Sequence, residues 1–199
     1  MRAMAIAGTN VYLRPPRLAD AAAFLRGVRG SAKLHRNWVK VPDTPRTFAA
    51  YVRRYTRRAK ASRHAGYLVL RRSDDALVGA YNFSEIVHGA FESAYLGYYA
   101  FTPLAAHGYM TEGLHLALDI AYRNLRLHRI EVNIQPTNLR SVALVEKVGF
   151  TCEGYSRRYV KIAGRWRDHV RYAMLAEDWR ALCSRQRSRN KRRSRETST

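Results

Sequence analysis

Between residues 109 and 125, apolar side chains recur at Leu114, Ala117, Leu118, Ala121, Tyr122 and Leu125. Steps of three and four place them on one face of an α-helix. The same spacing at Leu18, Ala21, Ala22, Leu25 and Val28 predicts an earlier helix. A further helix opens at Pro45, a residue suited to a first turn, and carries Phe48, Tyr51, Val52 and Tyr55 on one side. Arg53, Arg54, Arg57 and Arg58 fall largely on its solvated side. Asn138 is a good N-cap for a helix that carries Val142, Val145 and Val148 and stops at Gly149. Strand-like runs fall at 67–71, 77–83, 94–101, 129–135, 155–162 and 167–174, with a short one around Val11 and Leu13. Ser73-Asp74-Asp75, His88-Gly89 and Ala163-Gly164 punctuate them as turns.

The order is then β, α, α, β, β, β, α, β, α, β, β. Three successive strands imply an antiparallel meander, and helices between later strands imply at least one parallel crossover. The expectation is an α+β domain on a mixed, mainly antiparallel sheet. Beyond about Trp179 the pattern changes. Arg185, Arg187, Arg189, Lys191, Arg192, Arg193 and Arg195 crowd a stretch without apolar periodicity. Such a segment cannot bury a core. The reading is one folded domain over residues 1–182 and a disordered basic tail over 183–199.

A chain of 199 residues, 47% of them hydrophobic, suits one domain with a real core. No apolar run reaches the roughly 20 residues a membrane span needs. The apolar stretch at the N-terminus is too short for a secretory segment. A cytoplasmic protein with no membrane partner is expected. Cys152 and Cys183 make neither a disulfide framework nor a ligand cluster, and no metal site is expected. The formal charge of +21 changes the picture more. Such a field attracts polyanions and anionic cofactors, although charge does not rank them. Phosphate-loop, nucleophile-elbow and Cys/His ligand motifs are all missing from the sequence.

One segment carries chemistry. Residues 99–111 run from a strand through a turn at Gly108 straight into the long helix. Consecutive backbone N–H groups at a helix start, with roughly half a positive charge from the dipole, make an anion site. Gly108 also suits a plain turn, and Asn138 with Ser141 three residues on is first of all a cap.

Taken together, these words resemble the GCN5-related N-acetyltransferase (GNAT) superfamily and, within it, the RimJ/RimL branch of ribosomal-protein N-terminal acetyltransferases. The matching words are Leu96-Gly97-Tyr98, Gly108-Tyr109-Met110-Thr111-Glu112, Leu127-His128-Arg129-Ile130-Glu131-Val132-Asn133, Pro136-Thr137-Asn138-Leu139-Arg140-Ser141, Gly149-Phe150-Thr151-Cys152-Glu153-Gly154 and Gly164-Arg165-Trp166-Arg167-Asp168-His169. The final Asp178-Trp179 also fits, the resemblance covers roughly residues 9 to 180, and the Trp166-Arg167-Asp168-His169 segment favours the RimJ side.

The resemblance implies a GNAT-type sheet whose central strands splay apart, with Gly97 near the bulge that drives the splay. It implies acetyl-CoA as cofactor and coenzyme A as product. The pantetheine arm would bond to backbone near Tyr99 and Phe101, the pyrophosphate would rest on amides of Ala106, His107, Gly108, Tyr109, Met110 and Thr111, and Asn138 would contact the arm. Ala105 and Met110 depart from the side chains usual in this loop. Ser141 is the expected donor to the leaving thiolate. The RimL-side base has no counterpart, because Val160 stands there. Glu85 is the substitute candidate for the base, Glu92 a weaker one, and Asp168 reads as a structural anchor. The implied acceptor is a protein N-terminal α-amine, of alanine type, on a ribosomal protein, with the basic surface and tail docking on rRNA. Small-molecule amines, or a non-catalytic RNA-binding role on the same scaffold, stay open as alternatives. So does the choice between monomer and homodimer.

Overall fold

The computed structural model describes residues 5–56 and 63–196. Arg57, Arg58 and the last three residues of the basic tail lie outside them. The chain begins with β1 (Ile6–Ala7) and β2 (Val11–Arg14), then α1 (Ala21–Gly30), a single-turn α2 (Ala32–His35) and α3 (Pro45–Thr56). The meander follows as β3 (Ala65–Arg71), β4 (Leu77–Val87) and β5 (Ser93–Ala100). Next come α4 (Tyr109–Asp119), which widens into a π-turn at Ile120–Asn124, then β6 (Arg129–Ile134), α5 (Leu139–Val148), β7 (Thr151–Ile162), β8 (Arg165–Leu175) and α6 (Ala176–Glu196).

The eight strands form one sheet in the order β1-β2-β3-β4-β5-β6-β8-β7. Only the central pair, β5 with β6, is parallel; the other pairs are antiparallel. The period-two pattern sorts the core onto two faces. Val11, Leu13, Val69, Tyr81 and Phe83 pack under α4 and α5 with Leu114, Leu118, Ile130 and Val145. Leu68, Leu70, Ala80, Tyr99 and Phe101 face the other way and bury Phe24, Phe48, Tyr51 and Val52 of α1 and α3. Adjacent residues of β3 therefore serve different cores, as a pleated strand requires.

Two expectations are corrected. The segment after Trp179 is helical as far as Glu196, not structureless. A helix closes its own hydrogen bonds and needs no apolar face to do so, so the missing periodicity did not exclude one. The irregularities in the meander lie in β4, at Val78 opposite Val69 and Leu70 and between Ser84 and Val87 with Glu85 at φ 50°, and not at Gly97. Gly97 sits in regular register opposite Asn82. The short strand β1 and the single turn α2 are too brief to show a period.

Candidate active site

The parallel pair β5–β6 is joined at only three positions, Ser93 with Arg129, Ala94 with Ile130 and Tyr95 with Glu131. Beyond them β5 stays paired with β4 through Ala100, and β6 stays paired with β8 through Ile134. The two strands are held from their outer sides and part in the middle of the sheet. The Phe101 amide donates to Val78 O at 2.7 Å, and Glu92 O accepts from the amides of His128 and Arg129 at 2.6 and 3.1 Å. These bonds fix the alternation along β5. Even-numbered residues turn their backbone toward β6, and odd-numbered ones toward β4. The groups facing the gap therefore belong to Leu96, Tyr98 and Ala100. The backbones of Tyr99 and Phe101, which the family pattern was expected to use, face β4, and their side chains are buried. Ala100 O is engaged, accepting from His35 Nε2 at 2.7 Å.

At the mouth of the gap stands the start of α4. Gly108 is its N-cap at φ 80°, a left-handed conformation that costs glycine little, and no side chain caps the helix. The first-turn amides of Tyr109, Met110 and Thr111 have no acceptor within the helix and lie at the positive end of its dipole. Ala106, at φ 68°, completes the turn. His107 donates from Nδ1 to Ala105 O at 2.9 Å, and its ring stacks on Tyr109 at 6.0 Å and 14°. The hydroxyl of the fully buried Tyr81 donates to Met110 O at 2.6 Å and ties this turn to β4. Burial pushes the Tyr81 phenol well above its ordinary pKa, so it remains a donor. Asn10 reaches the same helix, donating to Glu112 from its backbone at 2.8 Å and from its side chain at 2.9 Å.

Asn138 caps α5, its side-chain oxygen accepting from Ser141 N at 3.4 Å. Ser141 Oγ lies 2.6 Å from the Tyr98 hydroxyl, which also reaches Ser141 O at 3.2 Å. Tyr98 projects from the splayed strand, and burial raises its pKa, opposed by the hydrogen bond to Ser141. Tyr98 belongs to the Leu96-Gly97-Tyr98 word, and nothing local in the sequence marks it for this contact. Its partner is 43 residues away in the chain.

The opposite face of the splayed strand floors a cleft of about 470 Å³ under α3. Its lining includes Lys40, Thr47, Tyr51, Arg54, Tyr55, Asn82, Ser84, Gly97, Tyr98 and Tyr99, with two cations and no carboxylate among the described residues. Arg54 is exposed and Tyr51 buried, as their places on α3 imply, and both also line the cleft. Glu85 does not line it. Its carboxylate is ion-paired with Arg63 at the second irregularity in β4. Glu92 lines a separate hollow with Arg123, Arg126 and Arg180. Neither placement suits a base for this cleft. Asp168 accepts from the Tyr155 hydroxyl at 2.5 Å and from Arg158 N at 2.7 Å, which pins the β7–β8 hairpin as an anchor would.

A narrow gap lined by free strand amides, ending at an uncapped helix start, suits a thin amide-bearing arm that terminates in a diphosphate, which is the shape of acetyl-CoA. The chain matches the family described as "Acetyltransferase (GNAT) domain" over residues 10–151, and it belongs to that family. It is an acetyl-CoA-dependent N-acetyltransferase of RimJ/RimL type. Among its relatives, the probable N-acetyltransferase YjcK of Bacillus subtilis is 32% identical over 179 residues, covering 86% of this chain and 97% of the relative. The [ribosomal protein uS5]-alanine N-acetyltransferase of Escherichia coli is 41% identical over 103 residues, 52% of this chain and 53% of that one. The solved structure of Mycobacterium smegmatis RimJ in complex with CoA-disulfide superimposes with a TM-score of 0.78 at 30% identity, covering 84% of this chain and 83% of that chain.

No described helix is long and apolar enough to cross a membrane.

Proposed function

We propose that the protein acetylates the N-terminal α-amine of a protein, that the acceptor is a ribosomal protein with an alanine-type N-terminus, and that the basic surface docks it on rRNA. The observation that carries this is the acceptor-side cleft, which has Lys40 and Arg54 on its walls and no carboxylate among the described residues. A polyamine or an aminoglycoside brings several ammonium groups and needs acidic walls; a polypeptide N-terminus brings one amine followed by carbonyls. The E. coli relative named for the alanine of uS5 supports the same reading.

The bound cofactor supplies the acetyl group as a thioester: the amine nitrogen takes the acyl carbon, loses one proton, and coenzyme A leaves as the thiol. The backbones of Leu96 and Tyr98 hold the arm in the gap. Amides of Gly108, Tyr109, Met110 and Thr111, with Ala106 and His107 shaping the turn, hold the diphosphate. Asn138 fixes the first turn of α5 and so positions Ser141. When the Tyr98 O–H donates to Ser141 Oγ rather than to Ser141 O, the Ser141 proton is free to be donated to the departing sulfur.

An α-amine titrates at about 7.7–8.0, against about 10.4 for lysine. A useful fraction is neutral at cellular pH, so water suffices to take the proton and a dedicated carboxylate is not required. The test is coenzyme A release with short peptides that begin with Ala, Ser or Lys, each with a free or blocked N-terminus. Turnover that needs a free N-terminus supports the proposal; equal turnover with a blocked N-terminus, or turnover on polyamines alone, refutes it.

A further inference from the structure

The floor of the acceptor-side cleft holds a polar group that the fold leaves incompletely bonded. Tyr99 is 7% exposed, and its hydroxyl lies close enough to Tyr51 and Asn82 to feel both side chains but makes no well-formed hydrogen bond with either. A buried hydroxyl without a well-formed hydrogen bond is costly, and native proteins seldom keep one without a use for it. Tyr51 donates to Asn82 Oδ1 at 2.9 Å, which leaves the Asn82 amide N–H2 as the donor end of that pair. Burial raises the Tyr99 pKa, so its hydroxyl also stays protonated and able to donate.

Two residues back on the same face of β5 is Gly97. A Cβ built there would meet nothing within 4 Å, and its φ is not in the left-handed region. Neither backbone strain nor packing asks for glycine at this position. What its bare Cα provides is open space in the cleft, next to Tyr98 at the edge of the gap. Asn133, on the same face of β6 across the gap, has a buried amide oxygen that also makes no hydrogen bond.

We infer that Tyr99 and Asn82 bind the first peptide carbonyl of the acceptor polypeptide and that Gly97 leaves the room its first side chain occupies, which makes these three residues the determinants of a peptide acceptor. This rests on N-terminal transfer as the reaction. Donors on the floor and cations on the wall call for a ligand that brings carbonyl oxygens, and a peptide main chain presents one next to its α-amine.

The test compares wild type, Tyr99→Phe and Gly97→Val in two measurements: the acetyl-CoA dissociation constant by calorimetry, and KM and kcat with an Ala-initiated peptide amide and with spermine. Tyr99→Phe keeps the ring and its packing, and Gly97→Val projects into open space, so both should fold. The expected result is an unchanged acetyl-CoA dissociation constant in both variants. The peptide KM should rise about tenfold in Tyr99→Phe, the scale of one lost hydrogen bond, and peptide turnover should be lost in Gly97→Val. Peptide kinetics unchanged in both variants would overturn the assignment of the cleft and leave N-terminal transfer standing. Wild-type turnover on spermine but not on the peptide would overturn N-terminal transfer, and the peptide occupant with it. Weakened acetyl-CoA binding in Gly97→Val, with a normal peptide KM in Tyr99→Phe, would assign this face to the cofactor and also refute the inference.

Discussion

Replacing Ser141 with alanine tests the proton path on the leaving-group side. The hydroxyl lies 2.6 Å from that of Tyr98 and, among the described residues, links the first turn of α5 to the splayed strand. Removing it takes away a positioned donor to a developing thiolate. Donors of that kind contribute about 10²-fold or more, so kcat should fall about 100-fold, which corresponds to about 2.7 kcal/mol of barrier. Stability should change little. The Tyr98 hydroxyl loses its short contact but keeps Ser141 O at 3.2 Å as an acceptor. The cost is that of one exchanged hydrogen bond, about 0.5–1.5 kcal/mol, or a few degrees of melting temperature for a domain of this size.

Tyr98→Phe should lower kcat less, by about 3- to 10-fold, because Ser141 keeps its proton and loses only the bond that orients it. Since Tyr98 acts through Ser141, adding Tyr98→Phe to Ser141→Ala should lower kcat no further. The assay is single-turnover coenzyme A release at saturating peptide, with thermal melts of all four proteins and an acetyl-CoA titration as controls. A Ser141→Ala protein that turns over within twofold of wild type would refute the role. Strictly additive losses in the double variant would refute the coupling.

Other consequences can be checked separately. Gly108→Val forces a β-branched residue to φ 80°, where a left-handed residue costs roughly 1–2 kcal/mol; calorimetry should show weaker acetyl-CoA binding, and unchanged binding would remove this turn from the cofactor site. Asn138→Ala should lower stability by about 0.5–2 kcal/mol through loss of the α5 cap and should reduce turnover by loosening Ser141, so an unaffected melting temperature would count against the cap. Burial holds His35, His115 and His169 below their ordinary pKa. Below about pH 6.5 the unfolded chain therefore takes up protons that the folded one resists. Stability should be at its full value above that pH and fall as pH drops from 7 to 5.5, a loss that denaturant melts would reveal and a flat profile would deny. Ribosome association, if driven by phosphate contacts, should weaken steeply between 50 and 200 mM salt, by orders of magnitude for about 6–10 contacts; insensitivity to salt in a sedimentation assay would rule the docking out.

Much of the fold was legible because its signals are local. Residues three and four apart at Leu114, Ala117, Leu118 and Ala121 report a helix face whatever packs on it. The glycine at 108 and the cap at Asn138 likewise mark helix starts from within a few residues. In β3 the run Tyr67-Leu68-Val69-Leu70 is apolar throughout, which marks a strand buried on both sides, and the pleat sends neighbours to the two cores.

The site depended on contacts between distant parts of the chain. Alternation tells which side chains share a face, but not which neighbouring strand a residue's backbone meets, because that depends on pairing between remote segments. The family resemblance pointed to Tyr99 and Phe101 at the gap, where the backbones of Leu96, Tyr98 and Ala100 stand. The meeting of Tyr98 with Ser141, the pairing of Glu85 with Arg63 away from the cleft, and the delivery of Tyr51 and Arg54 to the acceptor side follow the same logic. The sequence by itself determined most of the helices and strands and the glycine turn that opens α4, because short-range sterics and hydrogen bonding decide those. Only the tertiary structure decided which groups face the reaction, because the splay between β5 and β6 exists only once β4 and β8 hold the two strands from opposite sides.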